Sequence, residues 1–292
     1  MKKVVRMLGL CALVALAFTA CKKDDTQKVT FTANVAQPIN DTRTQTSQFG
    51  AFLVWNDNDV IKVFNSEGDD MDFMAQSSTG LPGNATFTAE TAEEIEFVKD
   101  LENVQFPYTA FYPEATVNAD DNVELVIPAA QTYVEQKGFA NNLYPMVGFN
   151  QGTTQFNFES KAGMLVVSFH TNTEGEVLYV DEVVLTATDE EDYLAGTYVY
   201  DKEGNFVNFI GESNEVVLTS DVDLDIIYSM SREFTFVLPE GALESGFTVQ
   251  VKHDGEILET YEAQPRPQNV IVPQNYTVMI AMPLPDVPEP TK

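Results

Sequence analysis

Lys28-Val29-Thr30-Phe31-Thr32-Ala33-Asn34-Val35-Ala36 alternates apolar and polar side chains without a break. Val29, Phe31, Ala33 and Val35 share one face, and Thr30, Thr32 and Asn34 the other, the period-two pattern of a half-buried β-strand. Strand-like runs recur at Phe52 to Trp55, Val60 to Phe64, Ala85 to Ala89, Val104 to Tyr112, Val123 to Ile127, Thr154 to Phe158 and Leu165 to Phe169. They continue at Val177 to Leu185, Tyr198 to Tyr200, Val216 to Leu218, Phe234 to Leu238, Phe247 to Val251 and Tyr276 to Met282. Gly, Pro, Asn and Asp punctuate them, and no helical period persists over several turns. The chain therefore reads as all-β, made of antiparallel β-sandwiches. Asp254-Gly255 suits a type I′ turn, and a two-residue loop there sets Val251 opposite Leu258.

The first strand is followed by Gln37 to Gln48, a polar stretch with Pro38 and a single base, Arg43, which reads as an exposed loop. Before the strand lie a basic n-region (Lys2, Lys3, Arg6), an apolar run from Leu8 to Phe18 too short to span a bilayer, and the small pair Thr19-Ala20. Cleavage after Ala20 leaves Cys21 at the mature N-terminus. The arrangement resembles a bacterial lipobox, with Phe18 where a smaller aliphatic is usual. That resemblance implies acylation of Cys21 and an anchor in outer-membrane lipid, since each buried methylene contributes roughly 0.8 kcal/mol. Lys22-Lys23-Asp24-Asp25 then resembles the export tag of Bacteroidetes lipoproteins displayed on the outer face, the alternative being a solvated linker behind a periplasmic anchor.

With 292 residues, the chain is long enough for two domains of ordinary size. The expected division is a signal peptide at 1–20, a lipidated tether at 21–27, sandwiches at 28–155 and 156–282, and a proline-rich tail at 283–292. Prolines 283, 285, 288 and 290 bar that tail from a central strand position. Without the signal, 13 bases face 45 acids, a net charge of −32. Such a surface repels nucleic acid and anionic lipid headgroups. The two cysteines, Cys11 and Cys21, fall in the signal and at the anchor, so the folded part has no thiol chemistry.

Several segments together resemble the fimbrillin-like pilus subunits of Bacteroidetes. They are Thr42-Arg43-Thr44, Trp55-Asn56-Asp57-Asn58-Asp59 leading into Val60 to Phe64, Tyr108-Thr109-Ala110-Phe111-Tyr112-Pro113, and Ile127-Pro128-Ala129-Ala130-Gln131-Thr132. Pro145-Met146-Val147-Gly148, Leu194-Ala195-Gly196 and Phe236-Val237-Leu238-Pro239-Glu240-Gly241 follow in the same order. The resemblance implies two tandem transthyretin-like sandwiches and a lipoprotein exported to the surface. It also implies an arginine-specific protease acting at Arg43, loss of the strand bearing Val29, Phe31, Ala33 and Val35, and its replacement by a strand of another subunit. A stand-alone reading of Arg43 is an ordinary loop base. Because the last apolar run meets the proline tail at once, a tip or accessory position in the fimbrium, serving adhesion and biofilm formation through an unidentified host or bacterial receptor, is expected over a shaft position.

Other chemistry finds little support. His170 and His253 have no second histidine at metal-ligand spacing and read as strand-end residues. The clusters Asp57/Asp59, Asp69/Asp70, Asp189 to Asp192 and Asp221/Asp223/Asp225 lack the glycine and closing glutamate of a calcium loop, and Arg232 stands where the last would close. Neither a metal nor a cofactor is expected. No nucleophile elbow, zinc-protease helix or phosphate loop occurs. Phe106, Tyr108 and Tyr112 recur at period two and read as one strand face, and Trp55 as a core anchor. Two further classes stay open: a stand-alone lipoprotein that binds glycan or host protein, and a polysaccharide hydrolase using two of the many carboxylates.

Overall fold

The computed structural model describes residues 28–35, 55–76, 84–135, 140, 142–150, 152–172, 174–175, 177–228, 230–267, 270–271, 276–278 and 282–284. They form, in chain order, β1 (Val29–Val35), β2 (Val60–Phe64), β3 (Asp70–Gln76), β4 (Asn84–Ala89), α1 (Ala92–Phe97), β5 (Thr109–Tyr112), β6 (Thr116–Val117), β7 (Val123–Ile127), β8 (Ala130–Thr132), β9 (Met146–Asn150) and β10 (Gln155–Glu159). Next come β11 (Ala162–Thr171), β12 (Val177–Ala187), β13 (Ala195–Tyr200), β14 (Phe206–Ser213), β15 (Glu215–Ile227), β16 (Arg232–Pro239), β17 (Phe247–His253), β18 (Glu256–Ala263), β19 (Tyr276–Val278) and β20 (Met282–Leu284). The chain is all-β, as its alternation indicates.

The architecture differs from two tandem sandwiches. Seven strands close into a barrel in the order β1-β10-β9-β5-β2-β3-β4. Three more sheets have the orders β16-β11-β19, with β20 also on β11, then β18-β17-β12-β15-β8, and β14-β13-β7-β6. The physical reason lies in β11, whose residues Ala162 to Phe169 are all buried. Ala162, Met164 and Val166 point into one core with the barrel residues, while Leu165, Val167 and Phe169 point into a second. A strand buried on both faces carries a continuous apolar run and serves as a shared layer. The halves are also interleaved: β7 pairs with β13, and β8 with β15.

β16 has β11 on one side, and on its other side Gln131 of β8 takes the place of a neighbouring strand. Its Nε2 donates to the Val237 carbonyl at 2.8 Å, and its Oε1 accepts from the Val237 N–H at 3.0 Å. Gln131 is 2 % exposed, so these backbone groups have no water to turn to.

Local departures from the expected strands have local causes. β3 carries acids at positions 70 and 72, which hid it, and Lys62 of β2 neutralises them at 3.1 and 2.8 Å. Burial works against the Lys62 ammonium, but its bonds to Asp72 and Asp70 win and raise its pKa. β5 starts only at Thr109, because turns at Asp100 to Phe106 precede it. Phe106 is consequently exposed while Tyr108 and Tyr112 are buried, so the three do not share a face. The Asp254-Gly255 turn has φ of 51° and 79°, the two left-handed residues of a type I′ turn. A bulge after Lys252↔Ile257 then places Val251 opposite Glu259 rather than Leu258, and Leu258 turns to the second core. Pro283 and Leu284, assigned by composition to the tail, pair in parallel with His170 and Thr171 as part of β20, which among the described strands is hydrogen-bonded to β11 alone. An outer position of this kind tolerates a proline.

Replacing Gln131 with Ala leaves a buried N–H and a buried carbonyl unpaired, at about 1–3 kcal/mol each. Urea unfolding should show a loss of roughly 2–6 kcal/mol. Gln131→Leu, which fills the space without bonding, should lose nearly as much.

Candidate functional site

β1 is the best-defined candidate. Its partners are β4, antiparallel from Val29↔Ala89 to Asn34↔Asn84, and β10, parallel from Thr32↔Gln155 to Val35↔Phe158. The Thr32 N–H donates to the Thr154 carbonyl at 2.8 Å. Neither partner adjoins β1 in sequence, so no hairpin holds it, and its removal leaves a slot walled by β4 and β10.

The alternation read in the sequence is present in three dimensions. Phe31 and Ala33 are 0 % exposed and Val35 4 %, Val29 is half-buried, and Thr30 and Thr32 face solvent. Phe31 sits in an aromatic cage, with ring centroids 5.1 Å from Phe73, 5.5 Å from Phe87 and 5.7 Å from Phe156. Behind it Trp55 contacts Phe87, Tyr112 and Phe158, at 5.8, 4.9 and 5.3 Å. Burial, foremost, and the nearby Asp59 push the Tyr112 hydroxyl well above its ordinary pKa, so it stays protonated. An exposed Lys28–Glu90 ion pair of 2.5 Å marks the open end of the strand.

The slot is therefore apolar and regular. A strand lying in it gains main-chain bonds on both sides and inserts side chains at alternate positions. Such a geometry recognises an extended peptide, with affinity from the ladders and register from the pockets. The sequence identified the strand but not its walls: β4 lies about 50 residues away and β10 about 120, and alternation carries no information about pairing partners.

Ala20, Cys21, Lys22, Lys23, Asp24, Asp25 and Arg43 lie outside the described residues. Asp59 and Asp192, from two of the acidic clusters, act as acceptors for turn N–H groups. Asp59 Oδ2 accepts from the Asn56 N–H at 2.7 Å, and Asp192 accepts from the Leu243 and Ser245 N–H groups at 3.1 and 3.0 Å. Asp225 pairs with Arg232. His170 lies on β11 opposite Pro283.

The chain shares its fold with a solved Bacteroides protein. That structure, of a candidate cell adhesion protein from Bacteroides uniformis, matches with a TM-score of 0.52 and 14% identity, over 88% of this chain and 93% of the other. A candidate cell adhesion protein from Bacteroides ovatus gives 0.48 and 13%, over 83% and 87%. No family model and no curated protein matches the chain.

Phe31→Ala should cost about 3–5 kcal/mol in equilibrium unfolding, because it empties the aromatic cage. Thr32→Ala, on the same strand but facing water, should stay within about 1 kcal/mol.

Proposed function

We propose that this chain is a non-enzymatic, surface-exposed outer-membrane lipoprotein that acts as a fimbrial subunit, at the tip or in an accessory position, in adhesion and biofilm formation. The observation that carries the reading is β1: an apolar strand without a hairpin, seated between two strands remote from it in sequence. After a cut at Arg43 by an arginine-specific protease, the segment holding Val29, Phe31, Ala33 and Val35 leaves, and a strand of another subunit enters the slot. Cys21 carries the lipid, and Lys22, Lys23, Asp24 and Asp25 direct the protein outward. The description of the Bacteroides uniformis protein that shares the fold supports the adhesive part of this reading. The parallel seating of β19 and β20 on β11 supports an acceptor rather than a donor role, since these strands are already engaged.

Arg43→Ala should leave folding within about 0.5 kcal/mol of wild type and block maturation. N-terminal sequencing of surface protein should find wild type starting at Thr44 and the variant retaining β1 and staying monomeric. A variant found in purified fimbriae at the wild-type level refutes strand exchange by proteolysis and favours a stand-alone surface binder.

Cys21→Ser should move the protein from the membrane fraction to the soluble one. Neutral replacement of Asp24 and Asp25 should keep it anchored but protect it from external protease on intact cells. Continued shaving of that double variant refutes the export role of the tag.

A further inference from the structure

Three adjacent strands of the second core meet at an irregularity. In β12, Leu178 and Val180 face the core, and so do Val183, Leu185 and Ala187, a change of parity that one extra residue must absorb. The register places that residue at Asp181, between Val180↔Leu224 and Glu182↔Thr219. Asp223 stands beside it on β15, at the end of the residues looped out opposite. On the other flank the pair Glu182↔Lys252 brings His253 of β17 alongside. Bulges re-aim side chains, and this one gathers two carboxylates and an imidazole from three strands.

Asp181, Asp223 and His253 each offer a ligand atom, and these atoms all lie within 4.8 Å of one another. His253 Nδ1 is 3.8 Å from Asp223 Oδ1. Asp181 Oδ1 and His253 Nδ1 are shut off from solvent and have no hydrogen-bond partner among the described residues. Both are costly to leave so. The groups around them are placed as supports. Asp181 Oδ2 accepts from the Asp254 N–H at 3.0 Å, which fixes the carboxylate and leaves Oδ1 free. The Asp254 carboxylate faces His253 Nε2 at 3.6 Å. A carboxylate on the far nitrogen orients a metal-binding imidazole and directs its other nitrogen to the ion. The neighbouring Lys252 is engaged with Glu182 at 2.8 Å.

We propose that Asp181, Asp223 and His253 bind one divalent transition-metal ion, Zn²⁺ in its simplest form. The imidazole selects zinc over calcium or magnesium, which take oxygen ligands. Tetrahedral bonds of about 2.0–2.1 Å set ligand atoms roughly 3.4 Å apart, so the site closes by a few tenths of an ångström for the His253–Asp223 edge. Three protein ligands leave a fourth position for water or for a partner's carboxylate. The ion would tie β17, β12 and β15 together where their register is broken.

The test is calorimetric titration of the purified chain with ZnCl2, beside thermal unfolding with and without the metal. One zinc per chain at micromolar or tighter Kd, with a rise in Tm, is expected, and 1 mM CaCl2 should leave that Kd unchanged. Asp181→Asn and His253→Gln should each weaken binding at least tenfold with an unchanged far-ultraviolet circular dichroism spectrum, and Asp254→Asn severalfold. In wild type, Co²⁺ should give the intense visible bands of a four-coordinate site. The proposal is overturned by the absence of saturable one-to-one binding, by calcium competing equally, or by a Kd unchanged in Asp181→Asn and His253→Gln, which would trace the binding to other acids.

Discussion

The structure depends on one strand that has no solvent face. β11 gives alternate residues to two cores, and with β16 it forms a layer that both need. This accounts for a chain that is all-β yet not two beads on a string. Two sandwiches in series need four sheets with one wet face each, whereas a shared sheet buries both faces and reaches the same compactness with fewer strands. The cost falls at the edge of β16, which lies inside the protein and would present bare backbone there. Gln131 supplies the donor and acceptor of a missing strand, on a side chain short enough to need no strand at all.

The shared layer also separates the consequences of change in the two cores. β1 contributes Phe31, Ala33 and Val35 to the first core only, and the second is formed by the other face of β11 and β16 with β12, β15 and β17. Opening the barrel at β1 removes the ring contacts of Phe31 with Phe73, Phe87 and Phe156, all of the first core, while Leu165, Val167 and Phe169 keep theirs in the second. The proposed exchange of β1 would therefore act on the first core and leave the contacts of the second as they are.

Much of the fold was legible where one face of a strand is wet. β1, β2 and β7 alternate or run apolar between clear turns, and the sequence places them within a residue or so. β3 was illegible because Asp70 and Asp72 occupy its outer face, and only a partner strand bearing Lys62 makes them tolerable there. Barrel closure was illegible for a different reason: parallel pairing of β1 with β10 depends on side-chain shape across about 120 residues, not on local pattern. The cluster around Asp181 stood between these cases. Its signal, the parity change from Val180 to Val183, lies inside a run read as one strand, but Asp223 and His253 come from β15 and β17, whose pairing with β12 no local pattern shows.

The geometry of β1 bears on how such a strand could ever leave. Phe31 and Val35 contribute about 1.5–3 kcal/mol each by burial, and the two ladders about 0.5–1.5 per bond. These contacts oppose opening, while the backbone entropy regained by the released residues, about 1–2 kcal/mol each, favours it. In the exchange proposed above, an uncut β1 remains covalently joined to the barrel and competes intramolecularly with any incoming strand. A cut in that covalent link would leave the described pairing of β1 with β4 and β10 in place and change only its return. A departing strand would then be diluted, and the proposed partner strand, held nearby, would not have to bind more tightly than β1 did to take the slot. In that proposal a cut between β1 and Trp55 would act on the entropy of the exchange, with no strained or weakened strand required.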